Sequence, residues 1–473
     1  MPKCIIDGRE VEFKPGEKII EVAKRVGSVI PYFCYHPGLT VVAQCRMCAV
    51  EIEKMPKLQT ACSTPATEGM VIHTKSPKTL QNQKATMEFL LINHPLDCPI
   101  CDKSGECDLQ DYSFDHGDAY SRYTEERRTY LDLDMGPVIK KNMNRCIHCT
   151  RCIRFGSEIA GIHEMVAVKR GNYTEITTID GLPLQTGYAG NYADICPTGS
   201  LGLKDFRFKK RVWFLKKTPS VCEGCSTGCN LEIHQEDNVI YRCVPRENLE
   251  INRYWLCDEG RFNFNYLHDK DRIIHPTLFQ DGAGQVSEWK EAFNLSKKTL
   301  AVQKTVILVG SDLTQEEGRL LQQFLPEHFP KADVYHFGTP GISSSAQDDS
   351  EDQILKRKSK TSNLHGFEKL GFKSFPGFPK GCQAVLVIRG GRAILPDLKG
   401  IPAVGLGVFS QSQASSFVAV LPGTAFAEKD GTVMNYQGVE QKLRQAILPP
   451  GQCKVLSEIL MMWTHQKSSF GAA

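Results

Sequence analysis

Apolar and polar positions alternate on both sides of Asp7-Gly8, with Cys4-Ile5-Ile6 before and Val11-Glu12-Phe13 after it. A two-residue turn between such runs predicts a hairpin, and Pro15-Gly16 ends it. The period then lengthens. Between Glu17 and Val26 the apolar residues Ile19, Ile20, Ala23 and Val26 fall on one helical face, and Gly27 stands where a C-cap belongs. Strand-like runs return at Ala49 to Ile52 and Met70 to His73, so the first part of the chain predicts a small mixed sheet crossed by a helix. Ser76-Pro77 reads as an N-cap with proline at the first helical position, opening a helix to about Asn93 that His94-Pro95 stops. Residues 95 to 217 predict a loop-rich region. It ends in Lys204 to Trp213, where basic and aromatic residues alternate. That pattern suits a nucleic-acid platform or, the reading adopted, an amphipathic strand with a solvated charged face.

Farther on, Thr305 to Val309 and Ala384 to Ile388 are apolar runs of buried-strand type, the first followed by a helical segment from Glu316 to Phe324. A parallel α/β sheet is predicted. Ser343 to Asn363, rich in Ser, Asp and Lys, predicts a poorly ordered loop. Gly405-Leu406-Gly407 resembles part of a dinucleotide fingerprint, but Ser410 replaces the third glycine and no acidic partner is well placed, so it is not read as an NAD site.

At 473 residues the chain is long enough for about three domains. Lys+Arg 57 against Asp+Glu 54 leaves a net charge of +3, which gives no global field for a polyanion. The longest apolar runs, such as Phe89 to Ile92, fall far short of the ~18 residues that span a bilayer. Met1 leads directly into Cys4-Ile5-Ile6 without a secretory or transit pattern, so the chain is expected to stay in its compartment of synthesis or to be a mature form. The cysteines change the picture. Of 19, 17 lie in residues 1 to 257, and in a reducing compartment such clustering points to metal ligands before disulfides.

Four sets emerge. Cys34-x10-Cys45-x2-Cys48-x13-Cys62 is a variant of the plant-type 2Fe-2S spacing; a zinc ribbon would show two close Cys-x2-Cys pairs. The second set, Cys98, Cys101 and Cys107, supplies three thiolates, and either a distant cysteine or His94 completes it. The third, Cys146-x2-Cys149-x2-Cys152 with Cys196-Pro197 far downstream, crowds three thiolates around one corner of a 4Fe-4S cubane, which a single zinc does not need. The fourth, Cys222-x2-Cys225-x3-Cys229-x27-Cys257, fits a 4Fe-4S site, with structural zinc or an empty vestige as alternatives. Cys4, Cys243, Cys382 and Cys453 remain as buried or incidental thiols.

In this order the sets resemble the large iron–sulfur subunit, of the G type, of bacterial respiratory NADH:quinone oxidoreductase, complex I, from the N-terminus to about residue 268. Asn93-His94-Pro95-Leu96-Asp97-Cys98-Pro99-Ile100-Cys101-Asp102 and Gly105-Glu106-Cys107-Asp108-Leu109-Gln110-Asp111 are similar to that family's site with one histidine and three cysteine ligands, which implies that His94 is an iron ligand. Asn144 to Cys152 with Asp194 to Gly199 resembles its next 4Fe-4S site, and Ser220 to Phe262 the additional one of some bacterial members. Leu421 to Thr432 with Gln437-Gly438 resembles a molybdopterin-type fold.

The resemblance implies an α+β then α/β chain. A β-grasp 2Fe-2S ferredoxin domain would cover 1–78, a loop-rich ferredoxin-like domain with two 4Fe-4S clusters 79–217, and a molybdopterin-oxidoreductase-type 4Fe-4S domain 218–275. A truncated molybdopterin-oxidoreductase-like α/β domain would cover 276–473. Only 216 residues follow Cys257, and Glu259 stands where related dehydrogenases place Lys, so no molybdopterin is expected and this lobe is read as a platform. The implied function is electron transfer from NADH and FMN, held by a partner subunit, toward quinone, coupled in the whole complex to proton translocation. No complete active site is expected in this chain, which would sit peripherally on the cytoplasmic side of the bacterial inner membrane among peripheral-arm subunits, without nucleic acid. The rival readings are an iron–sulfur subunit of a soluble NAD-linked hydrogenase or formate dehydrogenase, and a zinc-stapled interaction protein.

Overall fold

The computed structural model describes residues 1–338, 351–414 and 416–465. They form two compact units, Met1–Phe214 and Leu215–Ala473. None of the described helices is long and apolar enough to cross a membrane.

The first unit opens with the expected hairpin. β1 (Lys3–Ile6) and β2 (Arg9–Glu12) pair antiparallel, and the turn residues Asp7 and Gly8 both have positive φ, 48° and 79°, the twist that a two-residue hairpin turn needs. α1 (Ile19–Arg25) follows and is closed by Gly27 at φ 72°. β3 (Ala49–Ile52), β4 (Gln59–Thr60) and β5 (Val71–His73) complete a sheet of order β2-β1-β5-β3-β4, mixed because β1 and β5 run parallel. Ile6, Ile19, Val22, Val50 and Ile72 form the core between helix and sheet, and Cys48 and Cys62 belong to it. In α2 (Pro77–Leu91) the Ser76 hydroxyl accepts from the Thr79 N–H at 3.3 Å, the cap read from sequence.

Short elements joined by loops make up the rest of the unit: α3 (Asp108–His116), β6 (Leu133–Asp134), β7 (Ile139–Lys141), α4 (Arg151–Glu158), β8 (Met165–Val168), β9 (Glu175–Thr178), α5 (Gly190–Ile195) and β10 (Leu201–Leu203). The expected strand over Lys204 to Trp213 is not formed. The chain turns there, with Phe208 at φ 58° and a short 3₁₀ turn at Val212–Phe214. Its charges are engaged: Lys204 pairs with Asp134 at 2.6 Å, Lys209 with Asp205 at 2.7 Å, and Arg211 donates to the Cys101 carbonyl at 2.6 Å. Alternation misled because the chain turns at Phe208, and its part-exposed charges pair locally or with neighbouring loops.

The second unit begins with an antiparallel meander, β11 (Lys216–Val221), β12 (Asn230–Glu236) and β13 (Val239–Pro245), followed by α6 (Asp258–Phe262). Then come β14 (Thr277–Gln280), β15 (Ala283–Val286), α7 (Trp289–Leu300), β16 (Thr305–Gly310), α8 (Gln315–His328), β17 (Asp333–Phe337), α9 (Leu364–Lys369) and β18 (Lys373–Ser374). β19 (Ala384–Arg389), β20 (Ala403–Gly407), α10 (Gln411–Ala414), β21 (Phe417–Pro422), β22 (Gly431–Met434), β23 (Glu440–Leu443) and α11 (Leu456–His465) end it. Eight strands make one sheet, β15-β14-β21-β20-β19-β16-β17-β18, in which β21 through β18 run parallel, as the apolar runs predict. Both faces are covered, so β16 sends Ile307 and Val309 into one core and Val306 and Leu308 into the other. From β16 the chain steps outward through β17 and β18, then returns to the other side of β16 with β19, so strand order reverses between β16 and β19. Gly405 and Gly407 lie inside β20, Gly407 close against Arg389, a packing role consistent with rejecting a dinucleotide loop.

Of the loop expected to be poorly ordered, 343–350 lies outside the described residues, and 351–363 is packed. Thr361, Ser362 and Asn363 are buried. Asn363 Oδ1 accepts from the Met434 N–H at 2.8 Å, and the Ser359 carbonyl accepts from the Ser226 N–H at 2.9 Å. Polar composition here reflects hydrogen bonds to buried backbone, not exposure.

Candidate metal centres

In the first set the thiols stand in two pairs. A hydrogen bond between them raises Cys34 and lowers Cys45 to about 5, and a second one raises Cys48 and lowers Cys62. Cys45 acts on both members of the other pair, so the four are neighbours. Cys34 enters from the loop after α1, Cys45 and Cys48 from the loop into β3, and Cys62 from the turn after β4. Two thiols per pair is the arrangement that a rhomb of two irons asks for.

The second set gathers less tightly. Cys101 and Cys107 are buried and Cys98 is exposed. The Cys101 sulfur lies so close to Gly199 that a side chain at 199 would collide with it, and the Cys107 thiol approaches the Pro197 carbonyl at 3.7 Å. His94 is held down to about 4 by burial, with Arg145 acting the same way, so its ring is neutral at pH 7. Its Nδ1 is buried without a hydrogen-bond partner. A neutral imidazole with an orphaned nitrogen is the form a metal takes.

The third set lines one cavity: Cys146, Cys149, Cys152 and Cys196 face it together with Lys141. Three of the thiols come from the turn into α4 and the fourth from the end of α5. Burial pushes Cys146 up to about 12 and Cys149 up to about 11, the neighbouring sulfurs pushing the same way. Such thiols give up their protons to a metal and not to water. Lys141 went unnoticed in the sequence. Its side chain is 1 % exposed, and its Nζ has no hydrogen bond, Glu175 standing 3.7 Å away. The signal was present: strand alternation puts Lys141 on the face of buried Ile139.

In the second unit Cys222, Cys225 and Cys229 lie between β11 and β12, and Cys257 caps α6 by accepting from the Gly260 N–H at 3.4 Å. Burial raises Cys222 and Cys229 strongly and Cys257 to about 12, each also feeling its neighbours. Gly260 leaves them room, since a Cβ there would stand 2.8 Å from the Cys222 sulfur. Burial also pushes the adjacent Glu223 up to about 7. Among the described residues no three His, Cys, Asp or Glu are placed to hold a single metal ion.

Within the first unit the sets are tied together. Arg154 donates to the carbonyls of Cys34 at 2.5 Å and Cys149 at 3.3 Å. Arg151 reaches the carbonyls of Tyr35 at 2.7 Å and Ile195 at 3.1 Å, and Gln44 that of His148 at 2.6 Å. Cys34, Cys107 and Cys149, one from each set, share a single apolar cluster with Phe33, Met47, Met87 and Leu109.

Comparison with known proteins follows the same order along the chain. Residues 3–77 match the 2Fe-2S iron–sulfur cluster binding domain, 83–122 the NADH-ubiquinone oxidoreductase-G iron–sulfur binding region, and 136–202 the ferredoxin-like domain of NADH-quinone oxidoreductase subunit 3. Residues 215–269 match the molybdopterin oxidoreductase Fe4S4 domain and 408–462 the molybdopterin oxidoreductase family. The G subunit of NADH-quinone oxidoreductase from Rickettsia felis is 42 % identical over 328 residues, covering 69 % of this chain and 49 % of that protein. The 75 kDa subunit of NADH-ubiquinone oxidoreductase of Reclinomonas americana is 38 % identical over 358 residues, 75 % of this chain and 52 % of that one. The chain thus spans about half the length of these relatives. A chain of an NAD+-reducing [NiFe]-hydrogenase solved in the H2-reduced state matches at 28 % identity, TM-score 0.40, over 45 % of this chain and 91 % of its own. With 2Fe-2S, 4Fe-4S and molybdopterin-oxidoreductase domains in that order on a mixed α/β scaffold, the chain is a homologue of the G subunit of NADH-quinone oxidoreductase.

Proposed function

We propose that the chain is the iron–sulfur electron-transfer subunit of a respiratory NADH:quinone oxidoreductase, receiving electrons from NADH and FMN on a partner subunit and passing them toward quinone. In the whole complex this transfer is coupled to proton translocation, and the chain sits in the peripheral arm on the cytoplasmic side of the membrane. The ligands assigned are Cys34, Cys45, Cys48 and Cys62 to a 2Fe-2S cluster, and His94, Cys98, Cys101 and Cys107 to a 4Fe-4S cluster. Cys146, Cys149, Cys152 and Cys196 are assigned to a second 4Fe-4S cluster, and Cys222, Cys225, Cys229 and Cys257 to a third. The five-stranded sheet with α1 is read as a β-grasp ferredoxin domain, and 276–473 as a platform without molybdopterin.

One observation carries this reading: three donor sets from distant stretches each give a cysteine to one apolar cluster, and arginine bonds to backbone carbonyls join the first and third. Bound clusters supply one-electron transfer at potentials set by ligand type, charge and burial. The protein's part is placement. Arg151 and Arg154 fix the loops of the first and third sets against each other, and the ion pair of Arg145 with Asp97, at 2.9 Å, steadies the segment that carries His94 and Cys98. Lys141 sets a cation beside the third set, where it favours the more negative state. The neutral His94 supplies one less negative charge than a thiolate, which raises the potential of the second site.

Iron, acid-labile sulfide, zinc and molybdenum per chain, measured after anaerobic purification, test the assignment. Full loading gives about 14 iron and no molybdenum, and about 10 leaves one cubane site empty. Zinc in place of iron sinks the relay, and stoichiometric molybdenum restores the dehydrogenase reading. Cys196→Ala should remove one 4Fe-4S resonance and quinone reduction by the assembled complex; undiminished turnover would take that site off the path.

A further inference from the structure

The cavity shared by the third set of thiols has a charged wall residue that comes from neither ligand segment. Lys141 reaches it from β7, whose backbone pairs there with Leu201 of β10 on one side and Leu133 of β6 on the other. A central strand cannot turn the side chain outward, so Lys141 stays on the inner face with Ile139. Arg151 lines the same cavity, but its Nη1 and Nη2 are bound to the carbonyls of Ile195 and Tyr35. Lys141 Nζ is buried and makes no hydrogen bond. An ammonium carries three donors, and leaving them buried without an acceptor is costly. The sulfurs of a cluster held by the four cysteines of that wall are acceptors of the kind it lacks.

A carboxylate stands behind the ammonium. Glu175 Oε1 is 3.7 Å from Nζ, too far for a hydrogen bond but near enough for its charge to act, and Glu175 is not part of the cavity wall. Its other oxygen, Oε2, faces Lys169 at 3.3 Å, an exposed side chain. The strand that carries Glu175 is tied to the ligand motif itself: His148, between Cys146 and Cys149, donates from Nε2 to the Thr174 carbonyl at 2.9 Å, and Ile176 lines the cavity.

We infer, on the reading of the third set as a 4Fe-4S site, that Lys141 and Glu175 together set the potential of that site. Lys141 Nζ donates a hydrogen bond to a sulfur of the cluster and raises the potential, and Glu175 opposes it. Reduction adds one negative charge to the cluster, which the ammonium favours and the carboxylate disfavours. Both are positioning residues for the electron, and they act with opposite signs, a signature that loss of packing does not reproduce.

Redox titration of the anaerobically purified full chain tests this, followed by the electron paramagnetic resonance signal that Cys196→Ala removes. Lys141→Met, of similar length but without donors, should make reduction of that site at least about tenfold less favourable, or about 59 mV lower for one electron. Glu175→Gln should make it at least about threefold more favourable, with iron content and the remaining signals unchanged in both variants. In the unaltered chain, lysine labelled with the heavy nitrogen isotope should show a nitrogen coupling at the same signal, which Lys141→Met abolishes. An unchanged potential in Lys141→Met at full iron content overturns the proposal, as do shifts of the same sign in the two variants. If Lys141→Met loses iron from the site, the coupling in the unaltered chain decides, and its absence overturns the proposal. Zinc in place of iron, or no signal lost in Cys196→Ala, instead defeats the cluster assignment on which the pair rests.

Discussion

The two units treat their cysteines in opposite ways. In the first, the thiols of Cys34, Cys107 and Cys149 are part of the apolar core, and the loops that carry them are held by arginines bound to backbone carbonyls. In the second, neither of the two apolar clusters that flank the large sheet contains a cysteine of the fourth set. With the proposed ligands in its core, the first unit would fold and load metal in one event. A region whose core is a sheet covered on both faces can hold a site without depending on it.

Stripping the iron with a chelator and reductant is the severest way to break this contrast. The first unit should become broadly sensitive to protease, while fragments containing the sheet around β16 and β19 persist; equal loss of both units would refute the difference. A milder lesion compares single thiols. Cys149→Ser should lower iron by more than the four atoms of its own site, because its side chain belongs to the same apolar cluster as Cys34 and Cys107, whereas Cys225→Ser should cost its own four and leave the rest. Equal deficits in the two variants would show that the shared core does not couple the sites.

Next in size is Arg154→Met, which strands the carbonyls of Thr40, Cys34 and Cys149. A destabilisation of about 3 kcal/mol is expected in denaturant unfolding followed by iron–sulfur absorbance, with little change in the signal from the second unit. The smallest effect sharpens the comparison from the other side. Burial holds His234 in β12 down to about 4, with Arg242 acting in the same direction, against 6.5 for a free imidazole. The unfolded chain therefore binds the extra proton first as pH falls, so the second unit should lose stability between about pH 6.5 and 4, by at most the order of 3 kcal/mol. His234→Gln should flatten that slope in thermal melts; an unaltered slope would assign it to other groups.

Local features were legible in the sequence because local chemistry decides them. Asp7-Gly8 fixes its turn through backbone φ, Ser76-Pro77 caps α2 within one helical turn, and the apolar runs of β16 and β19 announce a doubly covered sheet. The close cysteine spacings were readable for the same reason, being local, whereas Cys196 and Cys257 come from far downstream. What joins the sets was not. Arg151 and Arg154 bond to carbonyls more than 100 residues earlier, and no periodicity records such a partner. Lys204 to Trp213 was misread because alternation does not record the turn at Phe208, and 351–363 because composition does not distinguish polar side chains that serve buried partners from exposed ones.

The placement of the four tryptophans has an optical consequence. Trp213, alone of its kind in the first unit, lies with its ring against Gly105, two residues before Cys107, and Trp255 is buried two residues before Cys257. Trp289 and Trp463 belong instead to the apolar cluster on one face of the large sheet. Iron–sulfur chromophores absorb across the indole emission band, so the chain carries two built-in fluorescence gauges and an internal reference. Recovery of Trp213 emission would report emptying of the second site, and that of Trp255 emptying of the fourth, in real time and without a label.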